Sequence, residues 1–125
     1  MPKRPKLLDR FIVWLVPLGP VEARAMFGGW GMFLDGVMFA LMADDAIYLR
    51  ADDDSRGDFE ALGLTPFRPW PEKPMTMPYY PLPEGMLDDV DKLRDWSGRA
   101  IAAARRAKAA KGSPKRRPRR QPGDR

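Results

Sequence analysis

The dipeptide Asp35-Gly36 separates two apolar runs and constrains the fold more than any other feature of the sequence. Both central residues of a type I′ turn need a positive φ, and Asp-Gly is a pair that meets this need. Residues 21–34 and 37–43 are therefore predicted to form two antiparallel strands joined by this turn. A second tight turn at Asp44-Asp45 predicts a third strand over residues 46–51, so that the three strands form a meander.

Three glycines within residues 27–31 interrupt the first predicted strand. We expect them to kink or bulge that strand, because a glycine inside a strand pattern marks an irregular ladder. The stretch fits neither of the glycine-rich patterns that hold phosphates, and no helix is predicted after it whose N-terminus could bind an anion. Gly28, Gly29 and Gly31 are therefore predicted to serve backbone geometry and not a ligand.

Helices are predicted before the meander, after it and near the end of the chain. Leu8, Phe11 and Leu15 share one face at helical spacing and indicate the first helix. Candidate N-caps over residues 52–55 begin a short second helix. An apolar stripe between residues 90 and 104 predicts a long third helix, whose alanine- and arginine-rich later turns are expected to project from the body.

Seven prolines between residues 64 and 83 restrict what that segment can form. Residues 65–70 and 75–80 can still be strands at the edge of a sheet, where a missing N–H donor is tolerated. The order of elements is then α-β(3)-α-β(2)-α. It predicts an α+β domain of two layers with a mostly antiparallel five-stranded sheet.

The formal charge is divided unevenly along the 125 residues. Residues 1–98 carry a balance of −5, whereas residues 99–125 carry +10. The last residues combine arginine and lysine with proline and hold no large apolar side chain, a composition that cannot form a core. We therefore predict a folded domain over residues 1–111 and a disordered basic tail over residues 112–125.

The clustered cations are candidate contacts to nucleic acid, because lysine and arginine release counterions when they neutralise phosphates. Such binding would be sensitive to salt and would not select a sequence, since phosphate contacts carry no base information. A solubilising tail without a partner explains the same charge, and both interpretations stay open. The candidate residues are Arg105, Arg106, Lys108 and Lys111 on the last helix and Lys115, Arg116, Arg117, Arg119 and Arg120 in the tail.

Histidine and cysteine are both absent, which excludes the common nucleophile–base pairs, zinc sites and disulfides. Residues 52–57 superficially resemble a calcium loop, but Arg56 occupies a ligand position and Gly63 stands where the closing glutamate belongs. We interpret the segment as a helix cap. An enzyme that uses only Asp, Lys or Tyr stays open on composition, but we predict no enzyme, no cofactor and no metal.

The N-terminal residues have the outline of a secretory signal, with basic residues before an apolar run over residues 11–19. Charged side chains crowd that run, and Glu22 and Arg24 stand where a cleavage site needs small neutral residues. The run is also too short to span a membrane. We expect a cytoplasmic protein without a membrane contact.

Several motifs in this sequence resemble the N-terminal domain of the TfoX/Sxy family. The most specific is Arg-x-Met-Phe-Gly-Gly at residues 24–29, and the segments 47–50 and 74–80 also match. The resemblance spans about residues 7–107. The motif positions, which we interpret as structural, are Arg24, Met26, Phe27, Gly28, Gly29, Gly31, Asp35 and Gly36.

The resemblance implies a two-layer α-β(3)-α-β(2)-α fold similar to that of secretion chaperones. Full-length members regulate natural competence as transcriptional coactivators and carry a second, helical domain after this one. For the present chain it implies a stand-alone N-terminal domain, with the basic tail in place of that second domain. It implies no catalytic residues.

Two functional hypotheses follow from the residues and the resemblance together. In the first, the chain is a non-enzymatic regulatory module whose body contacts a protein, and whose tail contacts nucleic acid or an acidic partner. In the second, it is a protein-binding adaptor or a homodimer with an inert solubilising tail. Binding that weakens steeply with salt and disappears with the tail would favour the first.

Overall fold

The computed structural model describes residues 5–26, 28–70, 72–83 and 85–112. Five strands form one antiparallel sheet in the order β1-β2-β3-β4-β5, and each strand pairs with its neighbours in the chain. The elements are α1 Lys6–Trp14, β1 Val21–Met26, β2 Gly29–Leu34, β3 Val37–Ala43, β4 Ala46–Arg50, α2 Arg56–Glu60, β5 Tyr79–Pro81 and α3 Val90–Gly112, with short 3-10 turns at Val16–Leu18 and Met86–Asp88.

The helices cover one face of the sheet and enclose the core. α3 packs mainly against β3 and β4. The ring of Phe11 on α1 stacks on that of Phe39 on β3, with 6.5 Å between the centroids. The two helices are also joined directly, because the Arg94 Nε donates a hydrogen bond of 2.7 Å to the carbonyl oxygen of Trp14, which ends α1. That bond satisfies a carbonyl that the end of a helix leaves without an internal partner.

The opposite face of the sheet carries Arg24, Phe33 and Tyr48, since residues that pair directly across strands point to the same side. Part of this face is covered by the proline-rich segment, whose Phe67 ring lies 4.8 Å from that of Tyr48. The sheet is thus packed by helices on one side and by a loop on the other. In the described ranges, no helix combines the length and apolar character needed to cross a membrane.

The predicted α+β class with a five-stranded antiparallel sheet is confirmed, but the strands are distributed differently along the chain. Residues 21–34 form two strands and not one kinked strand, because Met26 pairs with Gly29 in an antiparallel ladder. Gly28 has a φ of 75°, which glycine adopts without strain. The glycines therefore make a hairpin, and four strands precede α2.

The proline-rich segment forms less sheet than predicted. The expected strands over residues 65–70 and 75–80 reduce to a single bridge between Phe67 and Met77 and to the three-residue β5. Proline has no N–H to donate to a ladder, so the prolines between these residues prevent longer pairing. The observed order is α-β(4)-α-β-α.

The expectation that the later turns of α3 project from the body is wrong as far as Ala104. Ala103 and Ala104 are 0% and 4% exposed. Small alanine side chains allow the helix to approach the sheet closely, and the arginines beside them contact the body, as described below. α3 begins at Val90, where the predicted apolar stripe begins. A carboxylate oxygen of Asp89 caps this end by accepting a hydrogen bond of 3.1 Å from the Lys92 N–H.

Candidate functional site

Two of the cations predicted to contact nucleic acid are bound to carboxylates of the body. Arg105 Nη2 lies 3.2 Å from an oxygen of Asp35, the first residue of the β2–β3 turn. Arg106 donates two hydrogen bonds to Asp52, of 2.6 and 3.0 Å, and its Nε is 3.7 Å from an oxygen of Asp54. The structure therefore uses Arg105 and Arg106 to attach α3 to the loops at the end of the sheet.

The Asp52 carboxylate is the centre of this attachment. It accepts hydrogen bonds from the backbone N–H of Asp54 and Ser55 and from the Ser55 hydroxyl, each of 3.1 Å. The Arg106 guanidinium, helped by Ser55 and opposed by burial, lowers the pKa of Asp52 from 3.8 to about 2. The hydrogen bonds to Asp52 raise the pKa of Arg106. The acidic segment 52–54 thus organises the turn before α2 and binds α3.

A third arginine of α3, about two turns before Arg105 and Arg106, is also paired with carboxylates. Arg99 lies 3.1 Å from an oxygen of Asp58 on α2 and 3.0 Å from an oxygen of Asp95 on its own helix. The arginines of α3 at positions 99, 105 and 106 are consequently neutralised by the acidic body. Their charge is therefore already paired, although the three side chains are about half exposed.

Lys108 has a different environment at the end of the same helix. It lines a cavity of about 290 Å³ together with Arg50 of β4 and Tyr79 of β5. The remaining lining residues are Gly36, Val37, Met38, Ala104 and Ala107, so the described lining holds no carboxylate. Two cations therefore share one cavity without an acidic partner in it.

Arg50 is the unusual residue of this cavity, which we call the basic cavity. Its Nε is buried and has no hydrogen-bond partner among the described residues. Its guanidinium carbon lies 5.6 Å from the centre of the Tyr79 ring. The Tyr79 hydroxyl donates a hydrogen bond of 3.3 Å to the Met38 carbonyl oxygen, and burial raises its pKa, so it stays protonated at neutral pH. A buried donor without a partner is costly unless an acceptor reaches it.

The basic cavity has the chemistry to hold an oxyanion. Arginine offers planar paired donors and lysine a point charge, and both types bind phosphate in proteins. Sequence reasoning selected Lys108 but missed Arg50, which stands far away in the chain. The available signal was a charged residue that alternates with the apolar residues of β4 in the segment 47–50.

The other predicted nucleic-acid residues lie at or after the end of α3. Lys111 is within α3, but its side chain is outside the described residues. Lys115, Arg116, Arg117, Arg119 and Arg120 also lie outside the described residues. Their role remains a prediction from the sequence.

The motif residues gather on the β1–β2–β3 part of the sheet. A Cβ on Gly29 would collide with the carbonyl oxygen of Met42, and one on Gly31 would lie 2.8 Å from the side chain of Met26. Arg24 places its guanidinium 4.6 Å from the centre of the Phe33 ring. These contacts are internal, and they agree with a backbone role for the glycines. Phe27 of the motif lies outside the described residues.

The Asp35-Gly36 turn has the predicted backbone, with φ values of 52° and 78°. Asp35 also binds Arg105, as described above. One motif position therefore shapes the hairpin and attaches the last helix.

A second concave region lies between α2 and α3. It encloses about 450 Å³ and is lined mostly by apolar side chains, including Leu62, Leu64 and Trp96, with Lys92 at its border. Leu62 is 56% exposed, which is high for a leucine beside a core. Among the described residues, no group of three or more acidic side chains could hold a metal ion.

Comparisons with known proteins agree on one family. A family model described as the TfoX N-terminal domain matches residues 14–104. The chain is 37% identical over 62 residues to the DNA transformation protein TfoX1 of Aliivibrio fischeri, which covers 50% of this chain and 30% of that protein. It is 38% identical over 42 residues to the protein Sxy of Escherichia coli, covering 34% of this chain and 20% of Sxy. The matched regions thus span less than a third of each curated relative.

Proposed function

This chain belongs to the TfoX/Sxy family through its N-terminal domain, and on that basis we propose that it is a regulatory module that acts by binding and not by catalysis. One relative is named for DNA transformation, and we propose natural competence as the process that this chain regulates. The absence of histidine and cysteine supports a binding role, because the usual proton shuttles and nucleophiles are missing. We place this activity in the cytoplasm.

We further propose that the basic end of the chain contacts the phosphates of nucleic acid. The observation that carries this proposal is the basic cavity, where Arg50 and Lys108 share a space without a carboxylate. Beyond α3 the sequence continues with residues 113–125, which hold six cations and one carboxylate. Phosphates bound in the cavity and along this segment would form one continuous contact.

The internal ion pairs support a choice among the candidate cations. Arg105 and Arg106 are held by Asp35 and Asp52, so a phosphate would have to displace a carboxylate to reach them. Arg50 and Lys108 require no such exchange. We therefore assign the nucleic-acid contact to Arg50, Lys108, Lys111 and the cations of residues 115–120.

Fluorescence anisotropy with a labelled DNA duplex tests this assignment. If about six to ten phosphates are neutralised, the affinity of the full chain falls by about 10³ to 10⁵ between 50 and 200 mM salt. Replacing the five tail cations at positions 115, 116, 117, 119 and 120 with glutamine should remove most of the binding and leave the melting temperature unchanged. The proposal is wrong if the intact chain binds neither DNA nor RNA at 50 mM salt.

A matched pair of variants on α3 separates the two kinds of cation. Lys108→Gln should weaken binding and reduce the salt dependence by about one phosphate. Arg105→Gln removes the same charge from the same helix but should change the affinity less, because Arg105 is already paired. Equal losses for the two variants would mean that net charge alone controls binding.

The second candidate function is a protein-binding adaptor, and the apolar region between α2 and α3 favours it. The test begins with a protein that the full chain captures in the presence of nuclease. If that protein binds at this region, the Leu62→Asp variant should no longer capture it. Met75→Asp is the matched control, since Met75 is 54% exposed and lies outside this region. If both variants lose the captured protein equally, that protein does not bind at the apolar region between α2 and α3.

A further inference from the structure

Strand β1 is an open edge of the sheet. It pairs with β2 alone, over all six residues from Val21 to Met26. No backbone hydrogen bond other than those of this hairpin involves it among the described residues. An open edge presents a row of unpaired N–H and C=O groups that a further strand can bind.

The hairpin geometry determines which groups face outwards. The β1–β2 ladder ends on the pair Met26 and Gly29, which are three positions apart in the chain, and the closing pair of so tight a hairpin is hydrogen-bonded. Hydrogen-bonded pairs alternate along an antiparallel ladder, so every second residue turns its backbone groups away from the partner strand. On β1 these outward residues are Val21, Ala23 and Ala25.

The side chains of β1 are self-complementary about its central outward residue. Glu22 and Arg24 flank Ala23, lie on the same face of the sheet and are 66% and 56% exposed. They now form an ion pair of 3.3 Å within the one strand. Opposite charges placed symmetrically around one residue match a strand that runs antiparallel to an identical copy.

We propose that β1 pairs with β1 of a second copy of this chain, about a two-fold axis at Ala23. Ala23 then lies opposite Ala23 of the partner subunit, and Val21 lies opposite the partner subunit's Ala25. These outward residues exchange backbone hydrogen bonds, and the two sheets join into one continuous sheet. Glu22 lies directly opposite Arg24 of the partner subunit, in a non-hydrogen-bonded pair where side chains are closest.

Other registers are unfavourable for the same residues. A shift by two residues in one direction places Glu22 opposite its own copy, and the reverse shift places Arg24 opposite its own copy. Like charges directly opposite each other destabilise a strand pair. A shift of the pairing by one residue would place the helix-covered face of one sheet on the same side as the loop-covered face of the other sheet. The charge pattern therefore selects a single register.

The strand is short, so the pair should dissociate on dilution, as small interfaces generally do. This proposal does not depend on the proposed function, because it needs neither nucleic acid nor the basic cavity.

Sedimentation velocity of the full chain over a concentration series, without nucleic acid, tests the proposal. The wild-type chain should show a reversible monomer–dimer equilibrium. Glu22→Arg and Arg24→Glu should each raise the dissociation constant at least about tenfold, because each places like charges opposite one another. An equimolar mixture of the two variants should recover the dimer, since one chain then presents two arginines to two glutamates. The double variant Glu22→Arg/Arg24→Glu should recover it as well.

Matched controls keep the result decisive. Glu72→Arg changes the net charge as Glu22→Arg does, but on an exposed loop residue, and should leave the dissociation constant unchanged. Both β1 side chains are more than half exposed, so the variants should retain the wild-type circular dichroism and melting temperature. A wild-type chain that stays monomeric, single variants that dimerise normally, or a mixture without recovery would overturn the proposal, and the two charges would then serve only to prevent edge pairing.

Discussion

Arg105 and Arg106 lie within one helical turn of Lys108, yet their surroundings are opposite. The two arginines are bound to Asp35 and Asp52, whereas Lys108 lines a cavity whose described residues include Arg50 but no carboxylate. A count of positive charge along the chain treats these residues as equivalent. A partner therefore meets unpaired charge at Lys108 and Arg50, and paired charge at Arg105 and Arg106.

Within this comparison, the largest effect is expected from removing the two cations of the basic cavity. The double variant Arg50→Gln/Lys108→Gln should lower the affinity for duplex DNA by about 100-fold at 50 mM salt, since each lost phosphate contact costs about tenfold at that salt concentration. Anisotropy titrations at 50 and 200 mM salt measure it. The matching variant Arg105→Gln/Arg106→Gln should lose less affinity. A larger loss for this variant would contradict the distinction between paired and unpaired cations.

Breaking the ion pair between Asp52 and Arg106 should instead lower the stability of the domain. Asp52→Ala removes both the acceptor for Arg106 and the acceptor for the turn before α2, and should destabilise the domain by about 1 to 2 kcal/mol. Asp52→Asn keeps an acceptor for the turn and should cost less. Urea unfolding of both variants measures the difference, and equal stability of all three chains would contradict an attachment through Asp52.

The same carboxylate makes stability depend on pH. The pKa of Asp52 is lowered to about 2 in the folded chain, below its usual 3.8, so the unfolded chain binds the proton more tightly. The stabilisation is therefore complete above about pH 4 and is lost as the pH falls towards 2. Thermal unfolding from pH 7 to pH 2 should show a steeper loss for the wild-type chain than for Asp52→Asn, and parallel curves would count against this role.

The smallest effect is expected at the exposed pair of Asp35 and Arg105. Asp35→Asn keeps a residue that tolerates positive φ and removes only a surface ion pair, so its cost should stay below about 0.5 kcal/mol. Gly36→Val is the contrast at the same turn and should cost about 1 kcal/mol or more, because a β-branched residue resists a φ of 78°. Equal melting temperatures for the two variants would show that the turn does not need its glycine.

Much of the sheet could be predicted because its signals are local. The turns at Asp35-Gly36 and Asp44-Asp45 both have positive φ at their central residues, and both join the strands that the alternation of apolar residues indicates. The reversal after Met26 was missed for a physical reason. Glycine permits a kink, a bulge or a turn equally well, and only the pairing of Met26 with Gly29 selects the turn.

The candidate site was predicted only in part. Lys108 could be selected from its place in a basic run, but Arg50 joins it through the packing of α3 across the sheet. Likewise, nothing in the sequence of residues 99–106 indicates which arginines have carboxylate partners 41 to 70 residues away.

The α+β class, the tight turns of the meander and the division of charge can be predicted from the amino-acid sequence, because they depend on neighbouring residues or on composition. Which cations are paired, which share a cavity and which strand is left as an open edge follow only from the folded structure. Those properties depend on distances between residues far apart in the chain, and such distances exist only once the helices have packed on the sheet.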